Sequence, residues 1–155
     1  MNTRIDLTKH LNSKLGRAML ALSAEATAHL DHSLFELVKL RASQMNGCAY
    51  CIDMHTKDAR AGGETEQRLY TLSAWRETPF FTDRERAALE WTEEVTRVGD
   101  THVSDAAYER ERAQFNEDEL VALTFGVIVI NSWNRLAVSF RAPIGTYQPA
   151  KAAAV

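Results

Sequence analysis

Two cysteines, the only two in the chain, lie three positions apart, and a histidine follows four positions later. They are Cys48, Cys51 and His55 in the stretch Gly47-Cys48-Ala49-Tyr50-Cys51-Ile52-Asp53-Met54-His55. On an α-helix each residue advances about 100°, so the three side chains share an arc of roughly 60° on one face. Two thiols and an imidazole so placed suit a redox dithiol with its own proton carrier, or most of a metal site. The thiolate is the reactive form of cysteine, and a free pKa of about 8.5 keeps most of it protonated at neutral pH. A position in the first turns of a helix favours negative charge. His55, one turn beyond Cys51, is placed to take its proton. Once one sulfur is oxidised to sulfenate, the second thiol condenses with it and releases water. The i, i+3 spacing brings the sulfurs within reach of a disulfide after a small local adjustment. Glu36 precedes Cys48 by twelve residues, across a turn predicted at Asn46-Gly47. If the helices on either side pack as an antiparallel hairpin, its carboxylate orients the imidazole and acts as terminal base.

Plainer readings stand beside these. Cysteine is often a buried, inert core residue. A zinc site would take both thiolates, His55 and a carboxylate, but a structural site usually needs a second Cys/His pair. Covalent haem attachment is excluded because Ile52, not histidine, follows Cys51. A thioredoxin-like domain needs strands, which the pattern lacks. Glu36 also fits as the fourth residue of a capping box, Ser33-Leu34-Phe35-Glu36. Asn131 and Asn134 sit in an otherwise apolar segment, where they line a pocket or cap a kink. His10, His29, His32 and His102 have no partner motif and read as surface or local hydrogen-bonding residues. Trp75, Trp91 and Trp133 read as core or interface.

The elements that must position this chemistry are all helices, about seven of them. Leu15 to Leu30 is a first helix, rich in alanine and leucine. A second opens near Ser33 and ends at Asn46-Gly47. The cysteine segment starts a third, stopped by Gly62-Gly63. Thr65 to Trp75 is a fourth. Thr82-Asp83-Arg84-Glu85 caps a fifth, running through Trp91 to Val98 and ended by Gly99. Ser104 caps a sixth, Asp105 to Phe115. Asn116 with Glu119 caps a seventh that runs to about Phe140. Val127-Ile128-Val129-Ile130 has strand propensity, yet it lies behind a strong helix start and has no partner strand. An apolar helix of this kind must be covered on most sides, so it is either a central helix or a subunit interface.

The chain has 155 residues, 45% apolar and 25% charged, with net charge −3. This is one domain, residues 1–155, long enough to bury a core without staples. There is no basic field to attract nucleic acid or anionic lipid. Met1 to His10 carries no basic segment leading into an apolar stretch, so no secretory signal is expected. The run from Leu120 to Ile130 is too short to cross a bilayer. A cytoplasmic location follows as the default, and there a lone CxxC is catalytic or metal-binding rather than structural.

Glu36, then Cys48, Tyr50-Cys51 and His55 at these spacings resemble the alkylhydroperoxidase AhpD-like branch of the carboxymuconolactone decarboxylase superfamily. The surrounding Glu36-Leu37-Val38-Lys39-Leu40-Arg41-Ala42-Ser43-Gln44-Met45-Asn46-Gly47-Cys48 is similar to that branch as well. The close likeness covers about residues 30–65, with a looser one through Asn131-Ser132-Trp133-Asn134-Arg135. The resemblance implies an all-α, AhpD-like helical bundle assembling as a homo-oligomer, trimer or hexamer. It implies an antioxidant peroxidase that reduces hydroperoxides with no cofactor or metal beyond a redox-active Cys48–Cys51 disulfide. Cys51 would attack the peroxide, Cys48 would resolve, and His55 with Glu36 would relay protons. An external dithiol, of lipoyl type in some relatives and carried on a donor protein, would restore the thiols. The residue before the second cysteine is often histidine in this branch. Here it is Tyr50, whose phenol, with a pKa of about 10, donates a hydrogen bond but does not take up a proton at neutral pH. The cysteine pair favours redox chemistry over lactone decarboxylation. The competing functions are a redox-sensing or partner-binding helical oligomer and a metal-binding helical protein.

Overall fold

The computed structural model describes residues 2–149. Eight α-helices and two 3-10 segments make up the fold, and there is no strand among the described residues. The helices are α1 (Lys14–Ala28), α2 (His32–Met45), α3 (Ala49–Ala61), α4 (Glu66–Thr71), α5 (Asp83–Thr96), α6 (Val98–Thr101), α7 (Asp105–Arg112) and α8 (Glu117–Phe140). Leu7–His10 and Leu72–Glu77 are the 3-10 segments. Most helix starts carry a side chain that satisfies an orphan amide. Ser13, Thr65 and Ser104 each accept a first-turn N–H, and Thr82/Glu85 and Asn116/Glu119 form reciprocal capping boxes.

Several boundaries differ from the sequence expectation, beginning with the first helix, which ends at Ala28 rather than Leu30. The cap of α2 is Asp31, whose carboxylate accepts from Leu34 N at 3.0 Å, so the Ser33/Glu36 box does not form and Glu36 turns inward. The expected fourth helix is α4 followed by a tighter 3-10 segment, kinked at Ala74 (φ −118°). There Trp75 Nε1 donates to Glu93 on α5 at 2.9 Å, and that anchor helps hold the turn. The fifth helix stops at Thr96, and Val98, its expected last residue, instead opens the separate one-turn α6, which runs past Gly99 to Thr101. The sixth ends at Arg112 rather than Phe115.

The hub is α2, which packs against α3, α5 and α8. One side of it, Leu34, Phe35 and Val38, meets Ala88 and Trp91 of α5 and Leu123 and Val127 of α8. The other side, Leu37 and Leu40, meets Ala59, Leu69, Leu72 and Leu89. Burial on two sides leaves little room at the α2–α8 crossing. Gly126 lies there, where an added Cβ would stand 2.2 Å from Phe35 Cε2. Val127 to Ile130 is helical, as expected from its context. The apolar run from Leu120 is part of a 24-residue helix, long and apolar enough by length and composition to cross a membrane. In this fold half of its most apolar window is buried, against α1, α2 and α5. A stripe of Val121, Phe125 and Ile128 remains exposed.

Candidate functional site

The hairpin of α2 and α3 builds the site. Gly47 makes the turn between them with φ +63°, a left-handed conformation that a Cβ disfavours. The next residue, Cys48, is the cap of α3, and its sulfur accepts from Cys51 N at 3.4 Å. Cys48 and Cys51 are joined in a disulfide with a Cα–Cα distance of 5.3 Å, within the usual range for such bridges. The structure is therefore the oxidised form of the pair. Both residues are buried, at 1% and 2% exposure.

The antiparallel hairpin carries Glu36 to His55. His55 Nδ1 lies 3.2 Å from Glu36 Oε2, and both residues are buried. The other carboxylate oxygen, Oε1, accepts from Lys39 Nζ at 2.5 Å, with His32 Nε2 at 3.6 Å. Burial pushes the Glu36 carboxyl up, but the hydrogen bond from His55 and the Lys39 charge outweigh it and hold it below its ordinary value. Burial pulls His55 below its ordinary value; the Glu36 hydrogen bond works against this and the Lys39 charge with it. At neutral pH the pair is a carboxylate and a neutral imidazole. An ionised carboxylate only accepts, so the proton sits on Nδ1 and Nε2 carries the lone pair. That Nε2 is buried and has no hydrogen-bond partner. A free basic nitrogen one turn from Cys51, on the same face of α3, is an arrangement suited to taking a thiol proton.

Residues that the sequence did not single out complete the surroundings. Asp58 follows His55 by three positions, and ligand atoms of Glu36, His55 and Asp58 lie within 4.8 Å of one another. Such a trio has the donor types for a cation, but the Lys39 ammonium is already paired with Glu36, and the two sulfurs are bonded to each other. Tyr147, from the segment after α8, donates its hydroxyl to Asp58 Oδ1 at 2.7 Å. Lys39 and Asp58 were findable as i+3 neighbours of Glu36 and His55. Tyr147 left no local signal. His32, read as a surface or local hydrogen-bonding residue, is exposed and approaches Glu36 one turn along the same helix.

Tyr50 is half-buried and packs on the disulfide with Ala137 and Ala142. Asn131 and Asn134 are brought to the turn at the end of α2. Asn46 Nδ2 donates to Asn131 Oδ1 at 2.9 Å and to Asn134 Oδ1 at 2.8 Å. Asn134 Nδ2 donates in turn to Ser43 Oγ at 3.0 Å, and Asn131 Nδ2 to Thr96 Oγ1 at 3.0 Å. These buried amides tie α8 to the residues just before Cys48, which fixes where the disulfide sits on the bundle. Trp91 and Trp133 also tie helices, through Thr124 and Ser23.

A helical bundle with a CxxC at a helix start and a buried Glu–His pair beside it defines the class. The chain belongs to the carboxymuconolactone decarboxylase family, whose sequence profile matches residues 13–94, and to its AhpD-like members. It is 51% identical over 110 residues to the uncharacterized protein YdfG of Bacillus subtilis, covering 71% of this chain and 75% of that one. Its fold matches, with a TM-score of 0.89, the crystal structure of a protein of unknown function from Agrobacterium tumefaciens described as a candidate antioxidant defence protein AhpD. That protein is 41% identical, and the match covers 94% of this chain and all of the other. An uncharacterized peroxidase-related protein from Silicibacter sp. TM1040 shares the fold at 21% identity, with a TM-score of 0.77 over 87% of this chain and 72% of that one.

Proposed function

We propose that the protein is a thiol-dependent peroxidase that reduces hydroperoxides through the Cys48–Cys51 pair. The observation that carries this reading is the buried, partnerless Nε2 of a neutral His55, held by Glu36 one turn from a CxxC disulfide. In the reduced protein His55 takes the Cys51 proton. The Cys51 thiolate attacks the terminal oxygen of the hydroperoxide. The O–O bond breaks, the alkoxide leaves with the proton returned from the relay, and Cys51 becomes a sulfenic acid that keeps the hydroperoxide's own proton. The Cys48 sulfur, whose negative charge the Cys51 amide stabilises, then attacks Cys51. The S–O bond breaks, hydroxide takes a proton to leave as water, and the disulfide forms. An external dithiol gives its two electrons and two protons through a mixed disulfide and restores both thiols.

Cys51→Ser should abolish peroxide consumption with a dihydrolipoyl donor. Cys48→Ser should accumulate a trapped sulfenate or mixed disulfide, seen by mass spectrometry. Turnover equal to wild type in either variant ends the proposal. Burial of both sulfurs supports a second reading, a redox sensor that reacts slowly and changes its assembly on oxidation. Chromatography of reduced and oxidised protein beside the turnover assay separates the two. Self-association is part of the main proposal, and the exposed apolar stripe on α8 supports it.

A further inference from the structure

Both sulfurs are buried, yet the proposed cycle requires an external thiolate to touch one of them. What covers the pair decides which reductants succeed. Beyond α8, Arg141 takes a left-handed conformation (φ 54°) that turns the chain back. Ala142 then packs with Tyr50 on the cluster of Cys48, Cys51 and Ala137. Five residues later the segment is fastened again, at the other end of α3. The Tyr147 hydroxyl donates to Asp58 Oδ1 at 2.7 Å, and its carbonyl accepts from Lys57 Nζ at 3.1 Å. Lys57 is itself paired with Asp53 at 2.9 Å. Residues 143–146, between the two anchors, are exposed. From Cys51 to Asp58 is about 10 Å along a helix, and five extended residues span at most roughly 17 Å. The segment therefore follows α3 from the disulfide to Asp58 as a strap held at two points, one of them a polar clasp.

We propose that Tyr147 is a specificity-determining residue for the reductant, acting through this strap. The inference rests on the dithiol reading above. Thiol–disulfide exchange needs an approach in line with the S–S bond. A small dithiol needs only a local gap to reach it, whereas a dithiol carried on a protein brings bulk that the fastened strap obstructs. When the clasp opens, the strap swings from Ala142 onward and the carrier-borne thiolate reaches a sulfur. A mixed disulfide forms, the donor's second thiolate displaces it, and the donor's two protons end on Cys48 and Cys51. The clasp is a hydrogen bond from a phenol to a carboxylate, of the charge-assisted kind. Its loss raises the population of the open form, and with it the rate for the bulky donor alone.

The test starts from the oxidised full-length protein and measures how fast its disulfide is reduced, by alkylating free thiols and counting them by mass. Two donors are compared, dithiothreitol and a dihydrolipoyl group borne on a carrier protein. Tyr147→Phe keeps the ring and removes the hydroxyl; Lys57→Met breaks the clasp's second bond. Each should speed reduction by the carrier-borne dithiol roughly tenfold (about 1.4 kcal/mol) while leaving the dithiothreitol rate within about twofold of wild type. Equal rates for wild type and both variants with the carrier-borne donor overturn the proposal. So does acceleration by the same factor with both donors, which marks a general loosening, or a disulfide that neither donor reduces. No peroxide enters this assay, so a failed peroxidase reading shows separately, as absent peroxide consumption.

Discussion

At the scale of the residue, the proposed chemistry turns on the state of one imidazole. His55 is neutral because burial opposes its charge, and its tautomer is fixed because Glu36 stays ionised beside Lys39. Glu36→Gln retains the shape but replaces the ionised acceptor with an amide that can present either end. The proton is then no longer confined to Nδ1, and Nε2 is no longer reliably the base. Peroxide turnover should fall by roughly 10- to 100-fold, within the range for a lost general base, with folding intact by circular dichroism. The pH dependence has a defined sign. A base held below its ordinary value stays unprotonated down to lower pH, so wild-type activity should hold as pH falls through about 6.5. The decline should come only on the acid side of that value. A pH–rate profile for reduced enzyme checks this, and a fall centred at or above pH 6.5 contradicts the assigned environment.

At the scale of the element, two crossings can be tested by stability. The α2–α8 contact needs Gly126, because a Cβ there meets the Phe35 ring at 2.2 Å. Alanine is the better helix former by about 1 kcal/mol, so a free site would be stabilised by Gly126→Ala. Here overpacking should win, with a net loss of roughly 1–2 kcal/mol in urea unfolding. Phe35→Leu should recover part of it in the double variant. The α5–α7 contact encloses Glu111, which is wholly buried, with no hydrogen-bond partner for either carboxyl oxygen. Burial and the neighbouring Glu90 carboxylate raise its pKa from 4.5 to about 8. The folded protein therefore holds a proton that the unfolded chain has already lost. Stability from this group is present at low pH and declines as pH rises between those two values. Glu111→Gln cannot ionise, so its unfolding midpoint should drop less between pH 5 and 8.5 than that of wild type.

At the scale of the whole molecule, α8 faces two ways. One face supplies the core and, through Asn131 and Asn134, fixes the turn before Cys48. The other leaves Val121, Phe125 and Ile128 exposed, with Phe125 at 47%. An apolar row on a helix whose far side is buried is the surface that the proposed self-association would cover. Native mass spectrometry of wild type should show a homo-oligomer, and Phe125→Glu should shift it toward monomer while the helical content stays. A wild-type monomer would leave the stripe without this role.

Much of this protein was legible in the chain itself. Helix caps at Thr82, Ser104 and Asn116 are local chemistry between residues three apart, and the sequence states them directly; those at Ser13 and Thr65 obey the same rule but were not singled out. The shared face of Cys48, Cys51 and His55 follows from helical period alone. Local rules misplaced what depends on partners far along the chain. Ser33 and Glu36 satisfy the capping-box pattern, but Asp31 caps the helix and Glu36 goes inward to His55 and Lys39. The tighter turn after α4 is held by the Trp75–Glu93 contact across the bundle, which no local stop signal encodes. Asp58, Tyr147 and the Asn46–Asn131–Asn134 network were joined only by folding, because 89, 85 and 88 residues separate the bonded partners. Spacing encodes which side chains share a helix face; which helices then meet is decided by the packing of all of them at once.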